Sequence, residues 1–361
     1  PKPALICHEN TIVQNEILAR GVGMTSEERL LVNLPPSHVG CVTEGVMSTF
    51  FIGGTVVMLR VFDVGLTLEA VEKWRVNTLG MIPTQFRMVW AHPDYEKTDL
   101  SSLGSVVYGG SSVDVEFLKR LAQMAPQFGT GIGMTESAGF VSFTPLGIPV
   151  KEMAGQVGQA FPDLAPITIR APMNEDGTAG DELSDGEIGE ICYEGPIVFL
   201  GYYNQPEATA KMISKDGYLY TGDLGYFKDK GTYRALYLTG RQKFVIKQKG
   251  YNVFPGEVEA HIAQLEGVDM VEVVGMEHRL YDEGIVACLR AREGAELTPE
   301  MVMMHCEGIA SYKRPQYGVS WPQDEQVPLT RVAKVDKLAL QAAAEPLIEQ
   351  LRSQGQWDAG V

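Results

Sequence analysis

No two cysteines in this 361-residue chain stand at C-x-x-C spacing. The five thiols, Cys7, Cys41, Cys192, Cys288 and Cys306, are scattered and odd in number. That argues against a disulfide framework or a zinc site and fits reduced thiols in a cytosolic protein. Positive charge is scarce: 30 Lys and Arg against 46 Asp and Glu leave a formal charge of −16. Such a balance speaks against a general binder of nucleic acid or anionic membrane, and an anionic ligand must be held by a local basic site. The apolar run from Gly45 to Leu59 is broken by Ser48, Thr49, Gly53 and Gly54, and is too short to span a bilayer. The pattern of a signal peptide is not seen, nor are internal repeats or low-complexity tracts.

What is present is enough apolar material, 45% of residues, for about two to three domains with their own cores. Up to residue 145 the pattern is α/β. Strands are expected at Leu30 to Leu34, Thr55 to Leu59, Thr78 to Ile82, Leu103 to Tyr108 and Phe128 to Ile132. Helices are expected at Leu66 to Val76, from Pro83 through Trp90, and at Val113 to Met124. This alternation predicts a mostly parallel sheet covered on both faces, with ligands outside the carboxyl ends of its strands. From residue 146 to 242, Gly and Pro become frequent and short apolar segments recur, which predicts a β-rich subdomain in the form of a distorted barrel. From residue 243 to 361 a small α+β domain is expected. Its helices are Gly256 to Leu265, one capped by Thr298-Pro299, and one from Val335 to about Arg352 interrupted by Pro346.

Several segments carry chemistry. Gly131-Ile132-Gly133-Met134-Thr135-Glu136 places a tight glycine turn after a strand. Backbone can approach a ligand there, a threonine hydroxyl can donate to phosphate, and a carboxylate can hold magnesium. A plain turn is the rival reading. Tyr108-Gly109-Gly110-Ser111-Ser112 is a second glycine turn, equally readable as a simple strand-to-helix connection. In Tyr220-Thr221-Gly222-Asp223, a fixed carboxylate can accept hydrogen bonds from two vicinal hydroxyls. Thr239-Gly240-Arg241-Gln242-Lys243 then leads into Ile246-Lys247-Gln248-Lys249-Gly250-Tyr251-Asn252-Val253-Phe254-Pro255-Gly256-Glu257. Three lysines around one glycine suit phosphate, although a solvated surface loop would look the same. Pro328-Leu329-Thr330-Arg331-Val332-Ala333-Lys334 lies near the end of the chain.

Taken together these segments resemble the adenylate-forming enzymes, and within them the AMP-forming acyl-CoA synthetases. The family patterns are Y-G-x-T-E, G-G-A-P, W-x-x-T-G-D-x-G, T-G-R-x-K and P-x-T-x-x-G-K. Gly186-Glu187-Ile188-Gly189-Glu190 through Gly195-Pro196 to Gly201-Tyr202 also matches a family segment, to which a structural role is assigned. This sequence departs from the family at Ile132, where an aromatic stacks on adenine, and at Ala333, where glycine is usual.

The resemblance implies a large N-terminal domain and a small mobile C-terminal domain that swings about a hinge. It also implies a two-step reaction using ATP, Mg2+ and CoA: a carboxylic acid becomes an acyl-adenylate, and a thiol then displaces AMP. Catalytic roles fall to Thr135 at the α-phosphate, Glu136 at the metal, and Lys334 at the α-phosphate and carboxylate. Nucleotide contacts are expected from Gly110, Ser111, Gly131, Ile132, Asp223 and Arg241. Lys243 holds the hinge position, while Lys247, Lys249 and Gly250 would border the pantetheine channel.

Pro1-Lys2 resembles the end of the family's phosphate loop, so Lys2 is its phosphate lysine, and a preceding N-terminal segment of the same protein is expected. Leu34-Pro35-Pro36-Ser37-His38-Val39-Gly40 carries no acid of the kind that amino-acid-activating members use. That favours a simple aliphatic or aromatic acid, with His38 beside the acyl pocket or acting as a cap. Loading of a carrier protein and a non-catalytic nucleotide- or partner-binding remnant are the competing readings. Association as a homodimer is left open.

Overall fold

The computed structural model describes residues 2–110, 113–322, 325, 327–329 and 335–358. The chain forms two compact units, Pro1–Leu238 and Thr239–Val361. The division falls inside the strand Arg234–Arg241, ahead of the join expected at residue 242.

In the first unit the expected strands become β1 (Arg29–Val32), β2 (Thr55–Met58), β3 (Thr78–Met81), β4 (Ser105–Tyr108) and β5 (Gln127–Gly129). They form one sheet in the order β2-β1-β3-β4-β5, parallel throughout. The helices are α1 (His8–Val22), α2 (Val64–Trp74), α3 (Pro83–Ala91) and α4 (Val115–Met124). Local chemistry starts them: Asp63 accepts from Leu66 N at 2.8 Å, Pro83 opens α3, and Asp114 accepts from Phe117 N at 2.7 Å.

Alternate strand residues face opposite sides. Leu31, Leu79, Met81, Val106 and Tyr108 pack on α2, α3 and α4 through Leu68, Val71, Phe86, Trp90, Phe117 and Leu121. On the other face Val107 meets Leu18 and Val22 of α1, and Leu30 and Val32 meet Cys41. The helix α1 lay outside the sequence expectations. It buries Asn10, Gln14 and Asn15 along with Ile17 and Leu18, so no clean apolar stripe announces it.

The β-rich region holds β6 (Ile167–Arg170), β7 (Gly189–Tyr193), β8 (Leu219–Asp229) and β9 (Arg234–Arg241), in that order across one sheet. Antiparallel ladders join β6 to β7 and β7 to β8. Among the described residues this sheet stays open where a distorted barrel was expected. Beyond its ladder to β7, the four-residue β6 has only an isolated bridge from Arg170 to Glu182, too little edge to close a barrel.

The second unit is a five-stranded α+β sheet. Its strands are β10 (Ile246–Gln248), β11 (Tyr251–Val253), β12 (Val268–His278), β13 (Asp282–Ala291) and β14 (Tyr317–Ser320), with helices α5 (Pro255–Ile262), α6 (Pro299–His305) and α7 (Lys337–Ser353). The antiparallel pair β12–β13 is its spine, and β14 lies parallel to β13. Ile285, Ala287 and Leu289 pack on Val258, Ile262 and Val302 of α5 and α6. Val286 and Cys288 pack on Leu340, Ala344, Ile348 and Leu351 of α7.

The interruption expected at Pro346 does not occur: α7 runs continuously from Lys337 to Ser353. Residues before and after the proline are buried in the same core, and that shared packing offsets one missing helical hydrogen bond.

Candidate active site

The chain leaves the sheet at Gly129, turns through residues 130–133, and enters a short hairpin in which Gly133 pairs with Phe140 and Met134 with Gly139. Ile132 anchors the turn. Its side chain is buried in a cluster with Ile17, Val141, Tyr193 and Leu219, its N–H donates to Ser142 Oγ at 3.1 Å, and its carbonyl accepts from Val141 N at 2.8 Å. Glycine is required on both sides of it. A β-carbon on Gly131 would run into the carbonyl oxygen of Ser142, and one on Gly133 into that of Gly139. Thr135–Ser137 form a single 3-10 turn at the hairpin tip. Ser137 ties this tip down, donating to Gly139 O at 2.8 Å and accepting from Met134 N at 3.1 Å. Thr135 is left exposed and Glu136 half-buried.

Glu136 is reached from a distant part of the chain. The strand Ala4–Leu5 pairs antiparallel with Gly201–Tyr202, and Tyr203 N donates to Pro3 O at 2.9 Å. This pairing sets the Lys2 ammonium over the Tyr202 ring, 4.8 Å from its centroid. The Tyr202 hydroxyl in turn donates to Glu136 Oε1, and Phe199 N donates to the Glu136 carbonyl at 3.1 Å. Burial and the bond to Glu136 hold the phenol of Tyr202 well above its usual pKa, so it remains a neutral donor. Asn10 of α1 braces the same segment, donating to Pro196 O at 2.7 Å and Val198 O at 2.9 Å. Lys2, Tyr202 and Glu136 thus form one chain of contacts. Tyr202 was credited by sequence with scaffolding alone, because nothing in its spacing shows the pairing across residues 4 to 202.

The Gly109–Gly110 turn closes the opposite side of the hairpin. A β-carbon on Gly109 would sit 2.9 Å from Phe140 Cζ, so the ring lies against this turn. Gly110 has φ 92°. His38 is exposed, and its Nδ1 accepts from Gly40 N at 3.0 Å, which leaves the proton on Nε2 and makes the ring a local cap.

Asp223 is placed by the same core that anchors Ile132, through Leu219 and Ile191 of β8 and β7. Thr221 Oγ1 donates to Ile191 O at 2.7 Å, and Asp223 N donates to Thr221 Oγ1 at 3.1 Å. Gly222 N donates to Glu190 Oε1 at 2.7 Å, with Gly222 at φ 73°. Glu190 and Asp223 are both buried. Burial, opposed by that bond to Gly222 and reinforced by Asp223's charge, pushes the Glu190 carboxyl up.

In the second unit Arg241, Lys243, Lys247 and Lys249 are exposed. Lys249 and Gly250, at φ 52° and 79°, make the two-residue turn joining β10 to β11. Lys249 lies over the Tyr281 ring at 4.2 Å, and Lys243 over Phe244 at 4.6 Å. Ser111 and Lys334 lie outside the described residues.

Among the described residues no three His, Cys, Asp or Glu side chains gather as a metal cluster. An ion at Glu136 would therefore rely on that carboxylate plus non-protein oxygens, an arrangement that fits magnesium held largely by substrate phosphates and water. No described helix is long and apolar enough to cross a membrane.

A family model described as AMP-binding enzyme matches residues 1–203. Feruloyl-CoA synthase of Amycolatopsis sp is 30% identical over 338 residues, which are 93% of this chain and 66% of that protein. Medium/long-chain-fatty-acid–CoA ligase FadD8 of Mycobacterium tuberculosis is 31% identical over 320 residues, 87% of this chain and 54% of that protein. Among solved structures, ATP-bound MatB from Rhodopseudomonas palustris superposes with a TM-score of 0.82 at 25% identity, covering 96% of this chain and 66% of that one. The chain thus spans 54–66% of the length of these relatives.

Proposed function

The chain belongs to the AMP-binding enzyme family, and from that premise we propose that the protein activates a carboxylic acid with ATP and passes the acyl group to CoA. The observation that carries this reading is the run of contacts from Lys2 through Tyr202 to Glu136, beside the glycine turn that ends in Thr135. It joins a cation, a neutral donor and a carboxylate next to backbone that a phosphate can approach.

In the first step a carboxylate oxygen of the acid attacks the α-phosphorus of ATP. A new P–O bond forms, the bond to the β-phosphate oxygen breaks, and pyrophosphate leaves. Thr135 donates to an α-phosphate oxygen, and the Lys2 and Lys334 ammonium groups offset charge that builds on the phosphates and carboxylate. Glu136 would hold magnesium, which supplies further charge neutralisation when bound. Asp223 accepts from the ribose hydroxyls, with Arg241 as a second ribose contact. In the second step the CoA sulfur attacks the acyl carbon, the bond to AMP breaks, and the thiol proton goes to solvent. Lys243 serves as the hinge residue, and Lys247, Lys249 and Gly250 border the path of the pantetheine arm.

The test is a mass-spectrometric product assay on the full-length polypeptide with ATP, magnesium, CoA and a pool of aliphatic and aromatic acids. Acyl-CoA is the expected product. Acyl-adenylate with no thioester would replace CoA by another acceptor, and no product of either kind would overturn the reading.

A narrower consequence concerns Tyr202. Tyr202→Phe removes the Tyr202 hydroxyl that donates to Glu136 Oε1 while keeping the ring under Lys2. A hydrogen bond to a charged group is worth about 1.5–3 kcal/mol, so the magnesium concentration for half-maximal rate should rise on the order of tenfold or more. The melting temperature should move little. An unchanged magnesium dependence would reduce Tyr202 to packing.

A further inference from the structure

Just beyond His38, the segment Gly40–Met47 is wound as a π-helix, an uncommon form that recurs where a helix must present a particular side chain. Two bonds clasp it along the returning strand of the Gly133–Phe140 hairpin, one beside the tip and one at the base. Thr43 Oγ1 donates to Ala138 O, and Phe140 N donates to Glu44 Oε1 at 2.9 Å. Glu44 therefore stands at the base of the hairpin whose tip carries Thr135 and Glu136. The paired part is two residues long on each strand, a span of about 7 Å.

The surroundings of Glu44 are cleared by glycine. A β-carbon on Gly139 would lie 2.7 Å from Glu44 Oε1, and one on Gly40 would lie 3.3 Å from Oε2. Phe140 links these parts: its N–H donates to Glu44, and its ring lies against Gly109 and Gly131 of the two glycine turns.

Oxygen Oε1 is committed to Phe140, while Oε2 of this half-buried residue has no hydrogen-bond partner or ion pair among the described residues and is not one of their buried unpartnered atoms, so it is open to solvent or to a ligand. Burial correspondingly pushes the Glu44 carboxyl up to about 7. A second polar group is left over beside it. Gln14 of α1 is fully buried, its Cδ comes within 3.0 Å of the same point above Gly139, and its Nε2 has no partner among the described residues. Pinning Phe140 needs only one acceptor oxygen, which a neutral side chain could supply. A second carboxylate oxygen left open beside the Gly40 backbone can accept from a donor arriving from outside the chain in place of water.

We propose that Glu44 determines substrate choice, accepting a hydrogen bond through Oε2 from a hydroxyl or ammonium group carried on the acyl chain of the acid. The inference rests on the adenylation reading of the same site and narrows its substrate class to acids with such a donor placed away from the carboxylate.

The test compares pyrophosphate release by the full-length wild-type polypeptide and Glu44→Gln. The acids are matched sets of chain lengths bearing a terminal methyl, hydroxyl or ammonium group. Glutamine keeps an oxygen for Phe140 N but turns a donor toward the substrate where Oε2 was. For the wild type, kcat/KM should favour one of the donor-bearing series over the methyl series by about 10- to 100-fold, and Glu44→Gln should abolish that preference. The hydroxyl and ammonium arms identify which donor is read. Equal use of all three series, or a preference that survives in Glu44→Gln, would overturn the role of Glu44 while leaving adenylation intact. No pyrophosphate release from any acid would instead overturn the reading on which it rests.

Discussion

Glu136→Gln should lower pyrophosphate release by about 10²- to 10³-fold with little change in melting temperature, if this carboxylate offsets phosphate charge through a metal. The substitution is chosen because it separates charge from shape. An amide oxygen can still accept from the Tyr202 hydroxyl, and the backbone carbonyl still accepts from Phe199 N, so the hairpin tip keeps its anchors. What is lost is the hard anionic ligand, which an amide replaces poorly for magnesium. The effect should exceed that of Tyr202→Phe, because Tyr202 acts only by holding one oxygen of Glu136. A rate within a factor of about three of wild type would exclude Glu136 from the metal site.

Gly131→Ala should destabilise the first unit by about 3 kcal/mol or more. The added methyl would overlap the Ser142 carbonyl oxygen and press on Phe140 Cδ1 at 3.0 Å. The obstacle is backbone, and Ser142 is held by its Oγ bond from Ile132 N, so the hairpin cannot yield without breaking the turn. Gly80→Ala is the internal control. Gly80 lies in β3, where an added methyl would meet nothing within 4 Å, and its φ is not left-handed, so its change should stay within about 0.5 kcal/mol. Chemical denaturation of the two variants, followed through the first unit's unfolding transition, measures the difference. Equal stabilities would mean that the hairpin relaxes freely, and the rigidity argued for the turn would be lost.

Much of the fold follows from local patterns. Short apolar runs such as Leu30-Leu31-Val32 and Val106-Val107 read as buried strands because both of their faces are covered, and Pro83 and Thr298 start helices by chemistry confined to one turn. Where a segment's apolar pattern is mixed with polar contacts, that reading stops. The helix α1 buries Asn15 against Ser48 and Thr43, and Gln14 beside Gly139, rather than in an apolar stripe. Pro346 looked like a stop because a proline's local cost is visible in sequence, whereas the core that carries α7 past it is not.

The sequence by itself determined the family and the order of its motifs, and it offered as candidates Thr135, Glu136, Asp223, Arg241 and the lysines, all of which sit in short stretches whose spacing is self-contained. Only the tertiary structure decided which of them meet. Tyr202 reaches Glu136, and Lys2 reaches Tyr202, because a two-residue ladder brings Ala4–Leu5 beside Gly201–Tyr202. Glu44 reaches the hairpin because a π-helical segment is clasped to Ala138 and Phe140. Such pairings join residues separated by 66 positions or more. A backbone ladder or a packed segment brings the side chains within reach, and the partners lie too far apart along the chain for any local pattern to record them.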